Sequence, residues 1–570
     1  MPMTLDESKG VYHVPDRMPG PHSRVLLTSV FGPYAQDDEF GSRVINPMEL
    51  YHNQVTRTQG PFSLRMFHRS WGIMLIQANI EAPCMLLDFP TRDRFIEEIK
   101  NNPYDIIGIS AIMPNIAKVR EMCRLIRKYQ PKATIVIGGH IANLTALEER
   151  ADFDYVVKGD GVRWFRRFLG EKVDKPIKHP HILSGINTRT MGLNVRRKKG
   201  EVAATLIPSV GCPMGCNFCS TSAMFGGKGN FVNFYETGDE LFKVMCEIEE
   251  SLEIRSFFVM DENFLMHRKR ALRVLELMEE HGKSWSLYVF SSARVLQSYT
   301  IEQIVGLGIS WVWMGLEGEN SQYNKLSGVN TFDLVRYYHG HGVRILGSSI
   351  IGLENHTPEN IYNAIDYAVA HDTDFHQFML YTPIPGTPFH AELTANGTIH
   401  NWRDPDYDEA DIHGQLKFNY DHPFIKNGEE TKYIVDAFDR DFHVNGPSVL
   451  RIARTTLEGW KRYKNHPNKR IQARFAYEAH ELYIKYAGSL WAARRWFKDN
   501  PKLVERITEV LEDIKKEFGL KAHLAAPLAG RLILHKLKKE DAFLKAGGVY
   551  EPPTFYEANN AMKSLMSVKA

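Results

Sequence analysis

Three cysteines, Cys212, Cys216 and Cys219, fall in a C-x3-C-x2-C spacing within Ser209-Val210-Gly211-Cys212-Pro213-Met214-Gly215-Cys216-Asn217-Phe218-Cys219-Ser220. Gly211, Pro213 and Gly215 interrupt both the helical and the strand period, so the stretch is a loop, the kind of backbone that can bring three sulfurs to one metal centre. Two chemistries use such a loop. A structural zinc ion ordinarily takes four protein ligands, and the other cysteines, Cys84, Cys123 and Cys246, stand apart from one another. A cubane of four irons held by three thiolates instead leaves one iron open to a ligand that is not protein.

The elements around the loop must place those sulfurs. The apolar run Ala203-Ala204-Thr205-Leu206-Ile207-Pro208 leads into it, and five further strand-like runs follow at 255–263, 285–290, 311–318, 344–352 and 374–382. Segments of helical period separate them, which makes about six βα units and predicts a partial (β/α)6 barrel. Polar side chains gather at the carboxyl ends of these strands, where barrel sites form: Asp261, Glu262 and Asn263, then Ser291 and Arg294, then Glu317. Just beyond the cysteines, Phe225-Gly226-Gly227-Lys228-Gly229 lacks the full frame of a phosphate-binding loop and gives no support to ATP binding.

Ahead of the barrel, buried-strand runs at 24–30, 84–88, 104–110, 134–140 and 155–161 alternate with helical segments at 64–80, 92–100 and 115–129. The last of these carries Val119, Met122, Cys123 and Ile126 on one stripe. Such alternation predicts an α/β, doubly wound (Rossmann-like) parallel sheet, whose ligands sit at the strand carboxyl ends. Ser110, Gly138, Gly139 and Gly159 occupy those ends, and the first strand stops at Phe31-Gly32-Pro33-Tyr34. The chain is read as this domain over 1–170, a linker over 171–200, the barrel over 201–390 and a mostly helical C-terminal region over 391–570. Within the last, 401–425 reads as a substrate-facing loop region and 448–465, 469–497, 501–518 and 529–546 read as helices.

A length of 570 residues with 43% hydrophobic and 24% charged residues describes a multidomain globular protein. Six scattered cysteines rule out a disulfide scaffold and favour a reducing cytoplasm. No apolar run is long enough to span a bilayer, and residues 1–20 lack the apolar core of a signal peptide. The net charge of +2 hides an imbalance, because residues 451–540 hold 21 lysines and arginines against 10 aspartates and glutamates. That stretch suits an anionic partner or a solvated helical face. Trp491-Ala492-Ala493-Arg494-Arg495-Trp496-Phe497 and the run 531–539 mix apolar and basic residues, as segments on anionic bilayers or against a neighbouring domain do.

The cysteine spacing, with Phe218 just before the last thiol, resembles the radical S-adenosylmethionine (SAM) superfamily. That resemblance implies a 4Fe–4S cluster on Cys212, Cys216 and Cys219, with SAM chelated to the open iron and cleaved to a 5′-deoxyadenosyl radical that removes a substrate hydrogen. It also implies SAM contacts from Asp261, Glu262, Asn263, Ser291, Arg294 and Glu317, and an apolar run near adenine at Ile350-Ile351-Gly352. Tyr381-Thr382-Pro383-Ile384-Pro385-Gly386-Thr387-Pro388 resembles the stretch that closes the barrel in the cobalamin-associated (class B methyltransferase-like) branch. The N-terminal domain is similar to the cobalamin-binding domain of that branch. Ser110-Ala111-Ile112 and Gly138-Gly139 match its corrin-contacting positions, and Gly159 ends a third strand. The Asp-x-His-x-x-Gly element that supplies a lower axial histidine elsewhere is missing, which in this branch leaves cobalt without a protein imidazole.

The resemblance therefore implies three cofactors: the cluster, SAM and cobalamin. It implies methyl transfer to an unactivated carbon, with radical C–C coupling, cyclisation or rearrangement as the alternative and the N-terminal domain then a scaffold. An external one-electron reductant such as flavodoxin or ferredoxin is the implied partner. The basic tail points to a small-molecule or lipid-like substrate and to a cytoplasmic protein peripheral to the membrane's inner face. A nucleic-acid partner lacks a recognisable module.

Overall fold

The computed structural model describes residues 5–6, 11–12, 19–32, 58–63, 68–186, 189–191, 193–194, 200–317, 328–405, 407–413, 416–548, 550 and 552–567. Pro33, Tyr34, Gly318 and residues 64–67, all singled out above, lie outside them. The first sheet runs β2 (Cys84–Asp88), β1 (Val25–Ser29), β3 (Ile106–Ser110), β4 (Thr134–Gly138) and β5 (Tyr155–Val156) in spatial order, all parallel. Its strands are buried on both sides because alternate residues serve different cores. Leu26, Met85, Leu87, Ile107 and Ile135 pack against helices Arg92–Asn101 and Ile116–Tyr129. Val25, Leu27, Leu86, Ile106 and Val136 pack against Trp71–Asn79 and Gly161–Phe168. The order reverses between β1 and β3, so the ligand crevice of this doubly wound sheet opens at the ends of those strands.

The second sheet holds six parallel strands in chain order: β7 (Ala204–Leu206), β8 (Ser256–Val259), β9 (Ser286–Ser291), β10 (Ile309–Glu317), β11 (Arg344–Ile351) and β12 (Phe375–Leu380). This is the partial (β/α)6 barrel. Leu287, Val289, Val312, Met314, Val343 and Ile345 face the outer helices in one large core. The alternate set, Tyr288, Phe290, Trp311, Trp313, Leu346 and Phe375, faces inward, with Phe290 stacked on Trp313 at 5.1 Å and Trp311 on Phe375 at 5.1 Å.

The described part of the segment read as a linker is tied to its neighbours: Ile182–Leu183 (β6) pairs antiparallel with β7, and Arg166 donates to the carbonyls of Val173, Lys175 and Pro176. Low periodicity hid this because the segment is held by side chains rather than by a helical face. The tail likewise does not stay apart. Phe555–Ala558 (β13) adds an antiparallel strand to β2, and Met562 of helix Asn560–Ser567 enters the core of the first sheet. Helices Ser448–Tyr463 and Lys469–Ala479 close the amino end of the barrel. There Glu478 accepts from Arg344 (2.7 Å), Arg474 (2.8 Å) and Ser286 (2.6 Å) in a buried cluster. The last long helix spans Leu520–Lys545 and carries Pro527 inside it, upstream of the predicted start at 529. The proline loses one backbone bond, and packing on Ala487–Trp496 retains the turn.

His179 illustrates how the 171–200 segment is locked. Its Nδ1–H donates to the Pro180 carbonyl (2.6 Å), which leaves Nε2 to accept from the Ile207 amide (2.9 Å) at the head of the cysteine loop. Burial pushes its pKa down to about 4. The folded state therefore binds fewer protons than the unfolded one below pH 6.5. His179's contribution is complete above that pH and is lost as pH falls towards 4. His179→Gln should remove about one proton's worth, roughly 1.4 kcal/mol per pH unit, from the slope of unfolding free energy between pH 6.5 and 4. Denaturant melts across that range measure it.

Candidate active site

The cysteine loop begins where β7 ends and is shaped by two left-handed glycines. Gly211 (φ +87°) has the Phe225 ring 2.8 Å from where a Cβ would lie, and Gly215 (φ +66°) has the Lys228 Cβ 2.4 Å from that point. Only glycine lets the loop lie this close to residues 225–229. The glycine-rich segment that mimics a phosphate loop thus packs over the cysteines instead, with the Gly229 amide bonded to the Pro213 carbonyl at 2.9 Å. Three further ties hold the loop: Ser222 Oγ to the Cys212 carbonyl (2.9 Å), Asn263 Nδ2 to the Gly211 carbonyl (2.7 Å), and the Phe389 amide to the Asn217 carbonyl (3.0 Å).

Cys212, Cys216 and Cys219 are all partly exposed, and no disulfide uses them. Burial, and then the charges of Cys219, Glu262 and Cys216, push the Cys212 thiol up to about 11. Burial and the charges of Cys216 and Glu262 raise Cys219 too. The three thiols are therefore neighbours, and a metal centre must displace their protons to bind them. Among the described residues, no three Cys, His, Asp or Glu side chains form a single-ion site. Three thiolates on a cube hold three different irons and need not meet at one point, so this donor set fits a cluster better than zinc.

Asp261, Glu262 and Asn263 divide their labour. Asp261 is wholly buried, accepting from Ser209 Oγ (2.6 Å), the Asn263 amide (2.6 Å) and Arg270 Nη2 (2.8 Å). Asn263 is equally buried, and its amide group bridges Ser209 and Gly211. Their side chains thus hold the cysteine loop in place, and the Asn263 Oδ1 is left buried without a partner. Glu262 is mostly buried beside the thiols, and burial with the Asp261 charge pushes its carboxyl up to about 7.

Higher on the strands, Ser291 Oγ is buried with no hydrogen-bond partner at the end of β9. An orphaned hydroxyl at a barrel's carboxyl end fits a polar ligand. Arg294 lies exposed on the short helix Ala293–Leu296. Glu317 follows an irregularity in register at Gly315–Glu317 and takes φ +53°, which swings it off the regular strand. Ile351 and its neighbour Ile350 face opposite sides of β11. Ile351 packs outward against Ile361, Ile365 and Phe438, and Ile350 takes the inward position with Tyr381 and Phe389, beside Phe218. The two-residue strand period allows only one of the pair to face in.

In the first sheet, Ser110 pairs with Gly138 across β3 and β4, and Gly139 (φ +84°) lies so close that its Cβ would meet the Ala111 carbonyl at 2.6 Å. A Cβ on Gly138 would meet nothing nearer than the Val157 carbonyl at 3.9 Å, which leaves room above the strand ends. Gly159 (φ +88°) makes the turn that lets Asp160 cap the next helix through the Arg163 amide. Two asparagines the sequence did not single out follow these ends. Asn115 Nδ2 and both polar atoms of Asn143 are buried without partners, as expected where a polar ligand completes the bonding. Their only sequence signal is position, a few residues beyond β3 and β4. Here the two domains meet: helix Ser220–Met224, which follows the cysteines, touches the turn His140–Asn143, and Gly386 packs against Asn143.

The B12 binding domain family matches residues 66–169, and the Radical SAM superfamily matches residues 206–368. An uncharacterized methyltransferase of Pyrococcus horikoshii is 23% identical over 341 residues, covering 54% of this chain and 73% of that protein. The anaerobic magnesium-protoporphyrin IX monomethyl ester cyclase of Cereibacter sphaeroides is 22% identical over 384 residues, covering 60% of this chain and 59% of the cyclase. Among solved structures, the radical SAM methyltransferase TsrM of Kitasatospora setae, with cobalamin and a 4Fe–4S cluster bound, aligns with a TM-score of 0.47 at 16% identity, over 80% of this chain and 99% of TsrM.

The buried network yields a direct test. Asp261→Asn removes the charge that Arg270 was buried against and should cost about 3 kcal/mol of stability. Iron bound per chain after anaerobic reconstitution should fall at least twofold, whereas an exposed control, Glu276→Gln, should leave both values unchanged.

Proposed function

For a chain that belongs to the radical SAM superfamily and carries a B12 binding domain ahead of its barrel, we propose cobalamin-dependent transfer of a methyl group to an unactivated carbon of an apolar, lipid- or isoprenoid-like substrate. The cofactors that accompany these two families are cobalamin, a 4Fe–4S cluster and SAM. When bound, the cluster supplies the electron that splits SAM, and cobalamin supplies a methyl carrier. Cys212, Cys216 and Cys219 would hold the cluster. Ser291 and Glu262, at the strand ends nearest unmatched polar space, would orient SAM. Ser110, Asn115, Gly138 and Asn143 would line the corrin crevice.

The observation that carries this reading is the contact between the helix behind the cysteines and the turn behind β4. It sets the carboxyl ends of both sheets against one another, so the two cofactor positions adjoin. The substrate class is supported by the inward-facing Phe290 and Trp313, whose stacked rings offer apolar area and no hydrogen bond beyond the indole N–H. An external one-electron donor such as flavodoxin or ferredoxin would serve the cluster.

Radical cyclisation is the second reading, favoured by the likeness to a protein named as a cyclase. The two separate on one experiment. Anaerobically reconstituted protein is supplied with SAM, a reductant and candidate apolar substrates, and products are read by mass spectrometry beside the corrin absorption. Methyl transfer predicts bound corrin, a product heavier by one CH2 and 5′-deoxyadenosine. Cyclisation predicts 5′-deoxyadenosine without that mass gain. Cys216→Ala should cut 5′-deoxyadenosine by at least about a hundredfold while corrin binding persists; normal 5′-deoxyadenosine from that variant would overturn both readings.

A further inference from the structure

Helix Leu520–Lys545 has one face spent on the protein and another on nothing. Ala522, Ala526, Gly530 and Leu537 are buried. Gly530 lies so close to Trp491 that a Cβ would come within 2.5 Å of its ring, and Gly488 meets Ala529 in the same way. This tight crossing fixes the helix's rotation. The opposite face carries Leu520, Leu524, Leu528 and Leu532 at 80%, 65%, 66% and 58% exposure. At a spacing of four residues, each leucine is turned by only about 40° from the last, so the four form one slanting ridge.

What flanks the ridge decides what it suits. From 520 to 539 the helix holds Lys521, Arg531, Lys536, Lys538 and Lys539 and not one aspartate or glutamate. All five cations are exposed. The neighbouring helix adds Arg494 and Arg495. Burial on the Trp491 face (3.2 Å to the ring centre), and then the Arg494 and Arg531 charges, hold Arg495 below the ordinary guanidinium range. A second copy or a neighbouring protein would need acidic partners for this crowd, and the helix's own two carboxylates are engaged elsewhere, Glu540 with the Tyr550 hydroxyl and Asp541 with Lys545. A bilayer with anionic headgroups meets both demands at once, taking leucines below the headgroups and cations among them. No described helix is long and apolar enough to cross a membrane, so the helix would lie in the plane of the surface.

We propose that the Leu520–Leu532 ridge with its basic flanks is a docking surface for an anionic lipid bilayer. Full-length protein, reconstituted anaerobically, is mixed with vesicles of phosphatidylcholine alone or with 30% phosphatidylglycerol, and the bound fraction is read by sedimentation. Binding is expected only with the anionic lipid, falling at least about tenfold in strength between 0.05 and 0.5 M salt. Lys536→Gln/Lys538→Gln/Lys539→Gln should weaken it about a hundredfold, at roughly fivefold for each charge lost. Leu524→Gln/Leu528→Gln, on exposed positions that leave the core untouched, should abolish binding while circular dichroism and iron content stay unchanged. Equal binding of the leucine variant, no preference for the anionic vesicles, or a lipid-free dimer that the leucine variant converts to monomer would overturn the proposal.

Discussion

Asp261 is the constraint on which the candidate site rests. A carboxylate with no solvent exposure is costly unless its charge and lone pairs are met, and here Arg270, Ser209 and the Asn263 amide meet them. Ser209 opens the cysteine loop, Asn263 grips the Gly211 carbonyl, and Arg270 reaches on to Asn233 Oδ1 and the Tyr235 carbonyl. One buried charge thus couples the end of β8 to both flanks of the three thiols. The cysteines can remain partly exposed because their backbone is held from below.

The same logic recurs at the barrel's opposite end. Glu478 between Arg344 and Arg474, and Asp374 accepting from Thr455 (2.7 Å) and the Ile345 amide (2.8 Å), tie C-terminal helices to the starts of barrel strands. Arg451 adds Asp441 and the Thr373 carbonyl. These bonds set Glu478, Thr455 and Arg451 against strand starts, so the helices cap the aromatic interior in one orientation. The tail then crosses to the first sheet, where β13 covers the edge of β2 that would otherwise be unpaired. The C-terminal region is therefore the clamp of the molecule, in contact with both sheets.

The strand-end loops and the contact between the two domains are built from small residues. Gly386 against Asn143, Gly139 against Ala111 and Gly215 against Lys228 each bring backbone to within a distance that a methyl group would prevent. The turn through Thr387, which donates to the Ile384 carbonyl and caps helix Pro388–Ala395, sets Phe389 where its amide reaches Asn217 of the cysteine loop.

Much of this could be read directly from residue order. Alternation of apolar runs with helical segments specifies both parallel sheets, since period and length are local properties of the chain, although the runs expected over 155–161 and 255–263 end at Val156 and Val259. The thiol spacing is likewise local, and it singled out the candidate cluster loop. What the order of residues left open depends on contacts between distant segments. Asp261 and Asn263 read as ligand-facing until the fold buried them against Arg270 and Ser209; Ile350 and Ile351 differ only in which side of a strand each occupies. Asn115 and Asn143 acquired meaning from the absence of any partner within reach. Residues 173–183 and 555–567 show no strong period because neighbours far along the chain, rather than their own pattern, hold them in place.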